Sequence, residues 1–98
     1  MEIEEIPKRV VEFSDIRKEK GNYDLTEELS FAHLVEEVGE LSKEMFSKKA
    51  RPEKYSEINL KKQVCDIIIE SMILADILKM NLSDELNKKL DELNTRGL

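Results

Sequence analysis

The sequence is poor in the residues that interrupt regular structure. Its 98 residues include three glycines, two prolines and no tryptophan, and aromatic residues make up only 5%. A β-sandwich or barrel would need turn residues every 8–12 positions or so, and this chain does not have them. Charged residues reach 39%, well above the usual share of about 25%. This composition predicts long amphipathic helices in one domain, residues 1–98, because two domains would each lack chain for a core.

Cysteine and long apolar runs are also scarce. Cys65 is the single cysteine, which excludes an internal disulfide and fits a reducing cytoplasm. No apolar run approaches the roughly 20 residues that a helix needs to cross a bilayer. We therefore expect a cytoplasmic protein without a membrane partner.

Basic residues are fewer than acidic residues. The chain has 22 acidic against 16 basic residues, which gives a formal net charge of −6. Duplex nucleic acid would repel such a chain on average, so no polynucleotide partner is expected.

Apolar residues recur at three- and four-residue intervals, which predicts four helices. They span about residues 5–20, 26–50, 56–80 and 81–95. Asp24 and Thr26 compete as the N-cap of the second helix. The third helix is apolar on more than one face, so we expect it to be central and buried on several sides. The fold class is therefore all-α, a four-helix chain with two long central helices.

A chain of this size exposes apolar stripes that a second copy can cover. We expect a homo-oligomer, a dimer or a tetramer, that completes a helical bundle. The alternative is a monomeric four-helix bundle.

Acidic residues cluster on the predicted second helix. Glu37 and Glu40 are three residues apart, so their Cβ atoms lie about 5–6 Å from each other, and Glu36 and Glu44 are nearby. These carboxylates repel one another, but each would be attracted to a bound Mg²⁺, an ion that prefers carboxylate oxygens. The alternative is a solvated acidic face. Gly39 favours the first interpretation, because a glycine inside a helix costs about 1 kcal/mol and indicates close approach by a helix or a ligand.

A polar stripe interrupts the apolar third helix. Gln63, Asp66 and Glu70 fall within an arc of about 60°, and no Lys or Arg lies between Lys62 and Lys79. The two carboxylates therefore face solvent or a positive group from elsewhere. That group is either a metal shared with the second helix or a basic side chain from another helix or chain.

Two segments resemble the metal motifs of a known enzyme superfamily. Residues 34–41, with Glu36, Glu37 and Glu40, are similar to the Glu-Glu-x-x-Glu motif of the all-α nucleoside triphosphate pyrophosphohydrolases. This superfamily includes MazG-like enzymes, dimeric dUTPases and phosphoribosyl-ATP pyrophosphohydrolase. Residues 62–68 resemble its second motif, Glu-x-x-Asp, with Asp66 matching the final acid.

The resemblance implies cleavage of a nucleotide between its α- and β-phosphates. It implies that Glu37, Glu40 and Asp66 bind Mg²⁺, or Mn²⁺, and that Glu36 or Glu37 orients or deprotonates the attacking water. Gln63 stands where the motif has Glu, and an amide cannot act as a base. Glu70 is a candidate for the missing carboxylate.

Basic residues near two helix ends are candidate phosphate contacts, namely Lys48, Lys89 and Arg96. The alternative for each is a solvated cation that complements the helix dipole. Two other functions remain open for the chain. One is a MazG-like domain that has lost catalysis through Gln63 and serves as an oligomeric nucleotide-binding or regulatory module. The other is a helical interaction protein without a metal site.

Overall fold

A computed structural model describes residues 3–21 and 24–97, and its regular structure is entirely helical. A 3₁₀ turn at Ile3–Glu5 leads into α1 (Ile6–Gly21), and α2 (Glu27–Ala50), a second 3₁₀ turn (Pro52–Lys54), α3 (Glu57–Ile77) and α4 (Leu82–Arg96) follow. The predicted all-α class is confirmed. None of the helices in this part of the chain is long and apolar enough to cross a membrane.

Polar side chains fix where three of the helices begin. The hydroxyl of Thr26 accepts a hydrogen bond from the backbone N–H of Leu29 at 3.2 Å, so Thr26, not Asp24, is the N-cap of α2. Ser56 and Asn81 cap α3 and α4 in the same way. Each cap satisfies an N–H that has no partner inside its helix.

The end of α3 comes three residues before the predicted end at Met80. Lys79 adopts a left-handed conformation with φ 58°, and the N–H of Met80 donates to the carbonyl of Ala75 at 3.0 Å. A left-handed residue at this position closes a helix by satisfying its last carbonyls. The apolar pattern continues through Leu78 and Met80, but the backbone turns toward α4.

The helix α3 is the centre of the fold, as predicted. Within the described residues it has close backbone contacts with α1, α2 and α4, whereas α4 has them with α3 alone. The short connection between α2 and α3 makes these two long helices antiparallel neighbours.

The buried core lies at one end of the molecule. Val10 of α1, Leu25 before α2 and Ile73 near the end of α3 form it, and Ile6, Ile69, Met72 and Ile77 surround them. The first half of α3 is different, because Ile58, Val64 and Cys65 are exposed. The expectation that α3 is buried on several sides is therefore wrong for that half, where α2 covers one side only.

Candidate metal centre

The candidate site lies along the contact between α2 and α3. Half-buried or buried residues recur on α2 at Leu34, Glu37, Leu41 and Glu44, and on α3 at Leu60, Gln63, Ile67, Glu70 and Leu74. Alternating steps of three and four residues are those of two helices packed along their length. The contact between the helices therefore includes polar side chains from both, while Glu36, Glu40 and Asp66 are exposed beside it.

Glu37 lies within electrostatic range of the other acids of the site. Partial burial raises its pKa, and the charges of Asp66, Glu70, Glu40 and Glu36 raise it further, in decreasing order. Burial disfavours the ionised form, and so does each like charge close by. The folding of α2 against α3 thus brings the two predicted acidic stripes into electrostatic contact.

Glu70 has a basic partner from α1. Glu70 as a whole residue is 6% exposed, and both of its side-chain oxygens accept hydrogen bonds from Arg17, at 2.7 Å from Nη1 and 3.3 Å from Nη2. Such a two-point pair compensates a buried carboxylate. Of the partners considered for Glu70, the structure shows a basic side chain from another helix. A role for Glu70 as a metal ligand would require this ion pair to open.

Gln63 has an unsatisfied oxygen. Its Oε1 is buried and has no hydrogen-bond partner among the described residues. A buried amide carbonyl without a partner costs about 1–3 kcal/mol, and it is an oxygen donor suited to a hard cation. Gln63 lies one helical turn before Asp66 on α3 and is half-buried in the contact with α2.

The remaining acids of α2 have different roles. Glu40 is exposed and approaches Lys43 at 4.0 Å, at the limit of an ion pair. Glu44 accepts a hydrogen bond at 2.5 Å from the backbone N–H of Ser56, which ties α2 to the first turn of α3. Sequence patterns carry no signal for this contact, because it depends on how the connection between the helices is folded.

The donor atoms suit Mg²⁺, but the side chains do not enclose an ion as they stand. In residues 3–21 and 24–97, no three His, Cys, Asp or Glu side chains converge closely enough to hold a metal. The donor set is nonetheless made of carboxylates and one unsatisfied amide oxygen, which are ligands of a hard divalent cation. The residues present therefore fit this ion in chemical type.

The predicted phosphate contacts do not gather around Glu37 within one chain. Lys48 lies over the ring of Tyr55, 5.5 Å from its centroid. Lys89 and Arg96 approach Glu92 at 3.4 Å and 2.9 Å, on a helix with close backbone contacts to α3 alone in the described part of the chain.

Comparisons with protein-family models, curated proteins and solved structures give no significant match to this chain.

Proposed function

We propose that the chain is a Mg²⁺-dependent nucleotide pyrophosphohydrolase of the MazG-like kind, acting on nucleotides of the cytoplasm as a homo-oligomer. The observation that carries the proposal is the packing of α2 against α3, which brings Glu37 close enough to Asp66 and Glu70 for their charges to raise its pKa. Acids that repel one another in the free protein gain from a shared cation, and perturbed carboxyls are frequent in functional sites.

In this proposal some of the acids bind the metal ion and one accepts a proton. Glu37, Glu40 and Asp66 would hold the ion, and Glu36 or Glu37 would accept the proton of the attacking water on a carboxylate oxygen. When bound, the metal supplies neutralisation of phosphate charge and a lower pKa for a coordinated water.

The phosphate contacts belong to the same proposal. Lys48, Lys89 and Arg96 would bind the anionic substrate. Lys89 and Arg96 lie on α4, which has close backbone contacts only with α3 within the described chain.

Two observations favour a second candidate function, a nucleotide-binding or regulatory module with weakened catalysis. Gln63 replaces a carboxylate of the motif, and Arg17 already compensates Glu70. The site then has fewer free negative charges with which to hold a metal, because the charge count largely sets affinity for a divalent cation.

Metal-dependent melting tests the proposal. Mg²⁺ or Mn²⁺ should raise the melting temperature of the wild-type chain, because an ion that binds only the folded state stabilises it. Glu37→Gln should abolish this rise, while Glu12→Gln, which removes an exposed acid from α1, should preserve it. If no divalent ion stabilises the wild-type protein, the proposal is wrong.

Pyrophosphate release separates the two candidate functions. A panel of ribo- and deoxyribonucleoside triphosphates should yield a monophosphate and pyrophosphate with the wild-type enzyme. The second candidate predicts nucleotide binding without release, and Gln63→Glu should then raise the rate by restoring the carboxylate. A rate that Gln63→Glu leaves unchanged would count against Gln63 as the cause of lost catalysis.

A further inference from the structure

One side of α2 is apolar and uncovered. Phe31, Val35, Val38, Ser42 and Met45 follow one another at alternating steps of four and three residues, and we call them the outer seam of α2. They lie on the side of the helix away from Glu37. Val35 is 50% exposed and Val38 48% exposed. A seam with this spacing is the pattern by which one helix packs along another, yet no described residue covers it.

Gly39 follows Val38 midway along α2 and lies at the edge of the outer seam. A Cβ atom added there would meet nothing within 4 Å, so no neighbour inside the described chain explains the glycine. Its cost of about 1 kcal/mol relative to alanine would be offset if a backbone from outside the chain approached closely at this point.

The two ends of α2 carry opposite charges. Glu27 and Glu28 lie in its first turn, and Lys48 and Lys49 lie in its last turn. Glu28 and Lys49 continue the spacing of the outer seam, and neither forms an ion pair with another described residue. An antiparallel copy of α2 would place each acidic end beside a basic end, which is the complementarity that a self-associating helix requires.

We infer that two copies of this chain associate through the outer seams of their α2 helices, antiparallel, about a two-fold axis between Val38 and Gly39. Val35 of one copy then lies opposite Ser42 of the other, and Glu28 opposite Lys49. The helices cross at about 20°, as in other long helix pairs, so the contact extends from the centre to both charged ends.

The exposed area is large enough for this contact. The chain exposes 7753 Å², whereas a folded monomer of 11.4 kDa exposes about 5,800 Å². The excess of about 2,000 Å² per chain exceeds the roughly 800 Å² that each partner contributes to a stable interface. The radius of gyration, 16.0 Å, also exceeds the value of about 13 Å for a compact chain of this length.

The association does not depend on the proposed reaction. The outer seam and the carboxylates lie on different sides of α2, so pairing of the seams leaves Glu37 and Asp66 uncovered. The seam would pair in the same way in a protein that binds no metal.

A charge exchange between the ends of α2 tests the antiparallel arrangement. The dissociation constant of the dimer, measured by sedimentation, should increase about five- to tenfold for Glu28→Lys and for Lys49→Glu, because each places like charges together twice in the symmetric dimer. The double variant E28K/K49E exchanges the two signs and should return the constant to within about threefold of wild type. Single variants without effect, or a double variant at least as weak as the singles, would overturn the inference.

An acid at the centre of the seam provides a second test. Val38→Glu should weaken the dimer at least about 100-fold, because it buries two unpaired carboxylates at the axis. Leu90→Glu, at an apolar position of α4 that is 55% exposed, is the matched control and should leave the dimer intact. Circular dichroism should show the same helix content in both variants. A wild-type chain that stays monomeric at 100 µM or so, or a dimer lost only with Leu90→Glu, would overturn the inference.

Discussion

The ion pair between Arg17 and Glu70 should be worth more to the fold than any other charged contact in the described residues. The side chain of Glu70 is 8% exposed and that of Arg17 is 23% exposed. In Arg17→Met the carboxylate of Glu70 stays buried without its partner, while the methionine still packs against Phe13, whose ring Arg17 now approaches at 5.2 Å. The variant therefore separates loss of charge from loss of packing.

The expected magnitude follows from the two hydrogen bonds and the burial. Hydrogen bonds to charged groups contribute about 1.5–3 kcal/mol, and loss of one partner of a fully buried pair costs about 3–5 kcal/mol. Because Arg17 keeps some contact with water, we expect Arg17→Met to cost about 2–3 kcal/mol. That corresponds to a drop of about 10–20 °C in melting temperature for a domain of this size.

The assay is urea denaturation at pH 7 at fixed protein concentration. Glu70→Gln should cost about 1–2 kcal/mol, since the amide oxygen still accepts one hydrogen bond from Arg17. The double variant should be more stable than the sum of the single effects predicts, by at least about 1 kcal/mol.

Lys18→Met is the matched control. Lys18 lies on the same helix and pairs with Asp15 at 3.4 Å, but its side chain is 36% exposed and that of Asp15 is 65% exposed, so the change should cost less than about 0.5 kcal/mol. If Arg17→Met costs no more than Lys18→Met, burial of Glu70 does not make the pair important and the reasoning is refuted.

Three further predictions concern local features. In metal-free buffer the pKa of Glu37 is higher in the folded protein than its ordinary value of 4.5. The protonated carboxyl therefore stabilises the fold below pH 4.5, and this stabilisation is lost as the pH rises through the raised pKa. Glu37→Gln should therefore melt about 1–3 °C above wild type at pH 7, and at pH 4 the difference should vanish; equal melting at pH 7 would contradict this. Lys79→Gly should stabilise the fold by about 0.5–1 kcal/mol in urea denaturation, because glycine adopts the left-handed conformation without strain, and a loss of stability would argue against that turn. Glu44→Ala should cost about 1 kcal/mol and speed hydrogen exchange in the first turn of α3, because the N–H of Ser56 loses its acceptor; unchanged exchange would mean that the contact is not formed in solution.

The helices could be predicted from the sequence because the residues that determine each helix lie within it or next to it. The spacing of apolar residues and the caps Thr26, Ser56 and Asn81 act within one or two turns. The end of α3 could not be predicted, because a left-handed lysine at position 79 has no sequence signal like that of a glycine. The structure was also needed to decide whether Asp24 or Thr26 is the N-cap of α2, since both side chains are good caps.

The candidate site was predictable only in part. The spacing of the acids placed Glu37, Asp66 and Glu70 on faces that could meet, and their mutual effect on the pKa of Glu37 agrees with that arrangement. The partner of Glu70 was not predictable, because Arg17 lies 53 residues away on a helix whose orientation depends on tertiary packing. Metal binding and catalysis remain predictions.

The turn between α3 and α4 sets the position of everything beyond it. The 15 residues of α4 form a rod about 22 Å long, and among the described helices it has close backbone contacts with α3 alone. A change of about 10° in the direction of the rod moves its far end by about 4 Å, more than a hydrogen bond can stretch. The backbone angles of Lys79 therefore set the position of Arg96. A substitution in this exposed turn can move the guanidinium group of Arg96 without contacting it.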